Sequence, residues 1–426
     1  MQATDVIIIG GGIVGLTQAL ALEQSGLKVA VIESHFPDEC LLDIPDNRVS
    51  AINLASQTFL TRLQAWPDAS RLGPYTSMQV WEADSRAQIE FSAQLLHQPH
   101  LGHIVENRLL QLTLLARVRH SPHIELFAAR ASTVSVGEQG VFVLLDNGLP
   151  ITARLLVGAD GARSWVRDQL QPSMVEWDYD HSALVATLQT TEPHQQTARQ
   201  IFRGKDIVAF LPLANAHQCS LVWCCPPEQA AARLALSDTE FNHAVAHAFD
   251  FRLGPCQVLG PRMAIPLKAR YSQQFCGQRW VLIGDAAHTI HPLAGQGVNL
   301  GLQDAAALAQ TLTELHQQGR DIGAFHELRA FERWRKAEAV TMLAAMEGLK
   351  RLFGNANPVL RGLRGLGLNL TDKLTPIKRQ LAAHALGITG LQAELSKPEL
   401  SKPQLSEQDL SQPAFNSSAS QSQSHR

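Results

Sequence analysis

The sequence predicts an α/β protein with three parts: a parallel-sheet domain, a second domain built on an antiparallel β-sheet, and a C-terminal helical region. Three observations carry this reading. From residue 1 to about 180, short β-branched runs alternate with segments of helical periodicity, as in Leu109, Leu110, Leu112, Leu114 and Leu115 after the strand-like His103 to Val105. From about 181 to 269, "ALVATLQT", "IVAFLPL" and "CSLVWCC" read as short strands between polar, proline-containing turns. At 280–284, "WVLIG" returns to a buried-strand pattern, followed by an alanine-rich helix from Gly301 to about Leu315. The first domain is therefore discontinuous, with segments 1–75, 105–180 and 270–340. Segments 76–104 and 181–269 make the second domain, 341–392 the helical region, and 393–426 a tail. Within 325–390, Pro358 and Pro376 are helix breaks.

The first element is the most informative. "DVIIIGGGIVGL" (5–16) is an apolar run, then Gly10, Gly12 and Gly15 in G-x-G-x-x-G spacing, then a segment with Leu16, Ala19, Leu20 and Leu22 at helical intervals. Strand, tight turn and helix follow. The first glycine permits the turn, the second lets a pyrophosphate approach the backbone, and the third lets the helix pack close to the strand. The helix N-terminus then faces the phosphates. A second strand-like run, Val29 to Ile32, ends in Glu33, about 20 residues on, where a carboxylate accepts from a ribose 2′-hydroxyl and repels a 2′-phosphate. These features point to a Rossmann-like site for FAD or NAD.

Composition narrows the class. The 426 residues are 45% hydrophobic, enough for a large core, and 36 basic residues against 39 acidic ones give no electrostatic footprint for nucleic acid. The six cysteines (Cys40, Cys219, Cys224, Cys225, Cys256, Cys276) lack C-x-x-C spacing, which fits a reducing cytoplasm and supplies neither a redox pair nor a metal site. No basic segment precedes the N-terminal apolar run, and no stretch approaches about 18 uninterrupted apolar residues, so neither a signal peptide nor a membrane span is expected.

Two more turns carry chemistry. "RLLVG" (154–158) runs into "ADGARSWVR", placing Asp160, Gly161, Ser164 and Arg167 after a buried strand and at a helix start, although a D-G pair alone also marks an ordinary turn. "VLIGDAAHTIHPLAGQGVNLGLQDA" (281–305) is more specific. Gly284 and Asp285 follow a buried strand, where a carboxylate can bind a sugar-alcohol hydroxyl. Pro292 ends the loop, and Gly295, Gln296 and Gly297 lead into a helix through Asn299. A glycine-rich turn at a helix N-terminus offers free N–H donors and positive potential, which suits the N1/C2=O edge of a flavin. Gly295, Gly297 and Gly301 miss the dinucleotide spacing by one residue, so a second nucleotide domain is not expected.

Past residue 392, Leu395, Leu400, Leu405 and Leu410 recur every five residues among Ser, Pro and charge. That period suits neither helix nor strand and reads as a disordered low-complexity tail, with partner binding as the alternative.

Together, "GGGIVG", "GADGARS" and "GDAAHTIHPLAGQGVN" resemble the motifs of the FAD-dependent aromatic hydroxylases related to p-hydroxybenzoate hydroxylase. "RVSAINLAS" (48–56), "LGHIVEN" (101–107), "ALVAT", "AFLPL" and "LRAFERWRK" (328–336) are similar to the ring hydroxylases of aerobic ubiquinone biosynthesis, above all to the 2-polyprenylphenol 6-hydroxylases, which act at ring carbon C5 in hydroxybenzoate numbering. The resemblance spans about residues 3 to 392.

Carried onto matching positions, the resemblance implies that Gly10, Gly12, Gly15 and Glu33 hold the ADP half of FAD. Arg48 would lie near the phosphate and ribityl region, and Asp160 with Gly161 would share in handling FAD and the nicotinamide nucleotide. Gly284 and Asp285 would hold the ribityl chain, and Pro292, Gly295, Gln296, Gly297 and Asn299 would border the isoalloxazine. It implies NAD(P)H as transient donor, O2 as co-substrate, and a flavin C4a-hydroperoxide that hydroxylates a polyprenylphenol lipid. His291 and Pro292 are the candidate catalytic residues of the flavin loop. His288 is weighed beside His291 as a group that polarises the phenol or simply bonds loop backbone. Trp223, Phe210 and Leu211 line the ring pocket or belong to the core. Lys350, Arg351, Arg361, Arg364, Lys373, Lys378 and Arg379 form a basic surface that either meets the inner face of the membrane or snorkels into solvent. Other ubiquinone-biosynthesis proteins and a second copy of the chain are the expected partners. The competing readings are a hydroxylase of another small aromatic, and a flavin-containing structural subunit of a biosynthetic complex.

Overall fold

A computed structural model describes residues 2–38, 44–83, 88–290, 297–354, 374–388 and 392–397. Its first sheet follows from the apolar runs. Strands Ile124–Ala128, Val29–Glu33, Val6–Ile9, Leu155–Gly158 and Trp280–Leu282 lie side by side and parallel, and Cys276–Gly277 closes one edge antiparallel. Both faces are covered, so successive residues that point to opposite sides are all buried, as in Val6, Ile7, Ile8 and Ile9. On one face pack the helices Ile13–Glu23, Asn107–Arg119 and Gly297–Gln317.

The other face differs from the simple alternation the sequence suggested. Residues 131–153 form an antiparallel meander, Ala131–Val136, Val141–Leu145 and Pro150–Ala153, with Gln2–Ala3 added at its edge. Val141, Val143, Leu145 and Ile151 bury their inward side against Ile7, Ile9, Ala30 and Ile32. Period-2 patterning is what a half-covered antiparallel sheet requires, and it replaces a helix as the third layer here.

The second sheet has eight strands, in the order His288–Thr289, Cys256–Ser272, Met174–Thr190, Gln218–Cys225, Asp206–Pro212, Thr197–Arg203, Ser77–Glu82 and Gln88–Ser92. It is antiparallel except between Thr197–Arg203 and Ser77–Glu82, which run parallel. Helix Asp238–Ala248 covers one face, starting with a capping box in which Ser237 and Glu240 each accept the other's backbone N–H. Met342 and Met346 of the 30-residue helix Phe325–Gly354 pack on the opposite face. The small sheet Val49–Ile52, Gly102–Glu106, Gly73–Tyr75 lies beside it.

The chain beyond residue 392 departs from the expected boundary of the tail. Residues 392–397 are ordered on the first domain, with a 3-10 turn at Glu394–Ser396, Ala393 1% exposed and Ser396 fully buried. Residues 398–426 lie outside the described residues, as do five of the seven basic positions: Arg361, Arg364 and Lys373 entirely, and the side chains of Lys350 and Arg351. Among the described residues, no helix is long and apolar enough to cross a membrane.

Helices Ile13–Glu23 and Gly297–Gln317 cross closely because of one glycine. A Cβ on Gly301 would sit 2.7 Å from Val14 Cγ2 and 3.2 Å from the Cα of Gly284. Gly301→Val is expected to push the helices apart and cost about 1–3 kcal/mol by overpacking, measured as a lowered denaturation midpoint with an unchanged slope.

Candidate active site

The glycine turn is built by close approach. Gly10 has φ +115°, donates to Ile32 O at 2.9 Å, and has no room for a Cβ, which would lie 2.4 Å from Ala159 O. A Cβ on Gly15 would lie 2.0 Å from Gly10 O. At Gly12, by contrast, nothing stands within 4 Å of that position, so the backbone there faces open space. Gly12 is also the N-cap of helix Ile13–Glu23, with no side-chain cap and no acidic residue in the first turn. The helix N-terminus therefore keeps its donors and dipole for an external anion.

Beside it is a cleft of about 480 Å³, lined by Gly10, Gly12, Glu33, Asp160, Gly161 and Trp165 among others. Glu33 is held in place from below. Gly11 N donates to Oε2 at 2.8 Å, and His35 N at 2.9 Å and Ser34 Oγ at 3.2 Å donate to Oε1. A carboxylate has about four acceptor sites, so capacity for one ribose hydroxyl remains. An open backbone cradle, an uncapped helix end and an oriented acceptor fit the ADP half of a dinucleotide.

The D-G turn shares that cleft, but its carboxylate turns inward. Asp160 accepts from Ser164 Oγ and from Val166 N at 3.0 Å, at the start of helix Trp165–Leu170. Ser164 in turn caps Arg167 N at 3.0 Å. Burial raises the Asp160 carboxyl above its ordinary range against these bonds. Gly161 takes φ +81°, with open space where a Cβ would be. Arg167, 7% exposed, donates to Ala162 O at 3.0 Å and to Ala286 O at 3.1 Å. It thereby ties the D-G turn to the third motif.

The third motif has a buried centre that sequence reasoning missed. Asp304, 0% exposed, accepts from Gly284 N at 2.9 Å, His288 Nε2 at 2.6 Å and Arg335 Nε at 2.7 Å. Only these donors hold its carboxyl below the ordinary range, since burial alone would raise it. His288, 2% exposed, is thus bonded to a carboxylate rather than to loop backbone or a substrate. The available signal was a lone aspartate in the alanine-rich "GLQDAAALAQ" helix, and an arginine in "FERWRK" at a helical spacing from buried Leu328 and Phe331.

Asp285 is set the opposite way. Its side chain is exposed, yet the protein packed close around it raises its carboxyl above the ordinary range by desolvation. His288, Arg48 and Arg270 oppose that rise, and Asp304 adds to it. Arg48 is exposed, and its guanidinium bonds to no described residue. Asn299 brackets the backbone of the Arg48 segment: its Oδ1 accepts from Asn53 N at 3.0 Å, and its Nδ2 donates to Ala51 O at 2.7 Å. Both ends of its amide thus hold the start of helix Gly297–Gln317 against that segment. Gly297 opens helix Gly297–Gln317, with nothing within 4 Å of a Cβ position. His291, Pro292, Gly295 and Gln296 lie outside the described residues.

Of the three candidate ring-pocket residues, two are core. Phe210 stacks on Phe249 at 3.7 Å and 3° beneath the helices, and Trp223 donates to Asp206 at 2.9 Å under the Arg233 guanidinium. Leu211, on the alternate face of its strand, packs with Val49, Ala51 and Ile104 beside the Arg48 segment.

Asp304→Ala leaves Arg335 buried without a counterion and is expected to cost about 3–5 kcal/mol, read by chemical denaturation. Because the folded carboxyl lies below its unfolded value, its stabilisation is present above the ordinary carboxylate range and is lost as pH falls through the lowered value. The difference in stability between wild type and variant should therefore shrink on acidification.

Comparison with known proteins agrees with this geometry. The profile of a family described as FAD binding domain matches residues 3–342. Ubiquinone hydroxylase UbiL of Rhodospirillum rubrum is 35% identical, covering 92% of each chain. The 3-demethoxyubiquinol 3-hydroxylase of Escherichia coli is also 35% identical, over 91% of this chain and 99% of that one. The p-nitrophenol 4-monooxygenase PnpA of Pseudomonas putida superposes with a TM-score of 0.75 at 18% identity, covering 91% of this chain and 99% of that one, which shows the shared fold. The chain is thus an FAD-dependent monooxygenase and belongs to the FAD-binding aromatic hydroxylases, in the branch of the ubiquinone hydroxylases.

Proposed function

We propose that this enzyme hydroxylates the aromatic ring of a polyprenylphenol intermediate in ubiquinone biosynthesis, with NAD(P)H and O2 as co-substrates. The observation that carries the reading is the near full-length similarity to two ubiquinone-pathway hydroxylases, over a chain in which Arg167 ties the D-G turn to the third motif. The ring carbon we assign, C5 in hydroxybenzoate numbering, rests on the sequence resemblance alone.

Reduced by NAD(P)H, bound FAD supplies the activation of O2. The chain supplies binding and order. The uncapped N-terminus after Gly12 takes the phosphates, and Glu33 takes a ribose hydroxyl. Asp285, exposed and short of donors, accepts from a ribityl hydroxyl, and Arg48 adds positive charge beside it. Asp160 keeps the D-G turn in the shape that shares the nucleotide cleft, and Gly161 leaves room for the nicotinamide nucleotide to approach. Gly284 positions Asp285, and Asn299 fixes the start of the helix opened by Gly297 against the Arg48 segment. The sequence resemblance assigns Pro292, Gly295 and Gln296 to the flavin and His291 and Pro292 to the reaction. Segments 76–104 and 181–269 form the substrate side. A lipid substrate calls for peripheral contact with the inner face of the membrane, since its apolar chain leaves the bilayer at a cost of about 0.8 kcal/mol per methylene.

Two outcomes test the reading. Asp285→Ala should weaken FAD binding by about 1.5–3 kcal/mol, roughly ten- to hundredfold in Kd, in a flavin fluorescence titration. Cells lacking the enzyme should accumulate the polyprenylphenol that lacks one ring hydroxyl, identified by mass spectrometry of the lipid extract. Accumulation of a precursor unhydroxylated at another carbon would move the ring position, and unchanged quinone lipids would refute the pathway assignment.

A further inference from the structure

The ordered segment 392–397 sits in a groove between the C-terminal end of helix Leu54–Arg62 and helix Gly297–Gln317. Arg62 donates from Nη1 to Glu394 O and from Nη2 to Lys397 O at 3.1 Å. Glu394 N donates to Gln310 Oε1 at 3.1 Å, and Ser396 Oγ lies 3.0 Å from Gln303 Oε1. Leu395 packs against the main core beside these bonds. Three of the four groove hydrogen bonds are made by backbone of the segment, which any sequence can supply. Leu395 and Ser396 are the side chains of the repeat that the groove reads, with Ala393 buried just before them. Glu394 and Lys397 are exposed and pair with each other.

The same residues recur at once. Glu394-Leu395-Ser396-Lys397-Pro398 is followed by Glu399-Leu400-Ser401-Lys402-Pro403, identical over five positions, and Leu405-Ser406 and Leu410-Ser411 repeat the core pair. The position before each copy is compatible too. Ala393 has φ −65° and ψ 145°, the conformation that proline imposes, and Pro398 and Pro403 precede the second and third copies. Lys397 has φ −68° and ψ 115°, the extended form required before Pro398. Ala393 is 1% exposed, so the larger proline favours the first copy over the second without excluding the second.

We propose that this groove is a docking site for Leu-Ser repeats of the chain's own tail, and that Glu399–Lys402 takes the place of Glu394–Lys397 in the same chain. A shift of one repeat releases five residues of slack, up to about 17 Å of extended chain, between the dock and helix Thr375–Ala385. That helix packs Ala382 and Leu386 against Ala93, Leu96 and Leu101. The dock then holds the C-terminal end on the cofactor domain while the helix before it gains reach, and tandem copies keep the groove filled at high effective concentration.

The test uses the full chain in a Cys40→Ser background, the five described cysteines being buried. Gln303→Cys is combined with Ser396→Cys, Ser401→Cys or, as an off-register control, Gln404→Cys, then oxidised and mapped by peptide mass spectrometry. The 303–396 disulfide should dominate, and the 303–401 disulfide should form within monomers and exceed the control by roughly fivefold. Adding Leu395→Asp should raise the 303–401 product further. A 303–401 yield equal to the control, or disulfides found only between chains, overturns the proposal. Hydrogen exchange of residues 58–62 gives a reading free of cysteines: Leu395→Asp should keep most of their protection, whereas Leu395→Asp with Leu400→Asp should lose it. Equal loss in the two variants overturns the proposal as well.

Discussion

The buried carboxylate of Asp304 is the constraint on which the rest of the site depends. An ion this deep is unfavourable unless its lone pairs are matched, and here a backbone N–H, an imidazole N–H and a guanidinium match them. The donors come from different places in the chain: Gly284 after the last parallel strand, His288 at the edge of the second sheet, and Arg335 on the long C-terminal helix. One side chain therefore holds four elements in register. His288 and Thr289 pair with Tyr271 and Arg270, so the same carboxylate that shapes the Gly284–Asp285 turn also couples the two sheets.

Asp285 lies one residue from Gly284, yet its environment is opposed to that of Asp304. One carboxylate is buried with three donors in contact, which hold it below the ordinary range; the other is exposed, and surrounding protein raises it while only charges acting across space oppose that rise. The separation of roles follows from geometry rather than residue type. Asp304 has no capacity left for a ligand, whereas Asp285 gains by accepting one. The same contrast divides the two other acidic positions: Asp160 is spent on its own helix start, while Glu33, bonded from below, keeps an acceptor toward the cleft.

What was legible in the sequence was local. The glycine turn, the strand before it and Glu33 are specified by spacing, because steric exclusion at Gly10 and Gly15 acts over a few residues. The parallel strands were visible as uninterrupted apolar runs. What the sequence hid depends on partners far along the chain. Asn299 braces Asn53 and Ala51, nearly 250 positions away in sequence, a role no local spacing reveals. His288 looked like a loop histidine until Asp304 was placed beside it. The 131–153 meander was concealed because its alternating pattern fits either a sheet edge or a loop-rich connection, and only packing on Ile7 and Ile9 selects the first. Leu395 was read from its period alone, and a period of five says nothing about a groove formed by Arg62, Gln303 and Gln310.

The lone parallel pairing in the second sheet shows how the two domains are interlocked. Ser77–Glu82 leaves the first domain early in the chain and joins Thr197–Arg203, which belongs to the later segment. Parallel neighbours cannot be joined by a tight hairpin, and here the connection between them includes the parallel strand Leu155–Gly158 of the first sheet. The strands Met174–Thr190 and Cys256–Ser272 then run from one domain into the other as a single ladder. The second sheet, mounted on such a ladder, takes its position relative to the first from continuous strands rather than from a linker. The nucleotide-holding turns can accordingly stay constant in form while side chains on the second sheet vary. The same fold is kept by a p-nitrophenol monooxygenase at 18% identity, so the architecture tolerates wide change in its side chains.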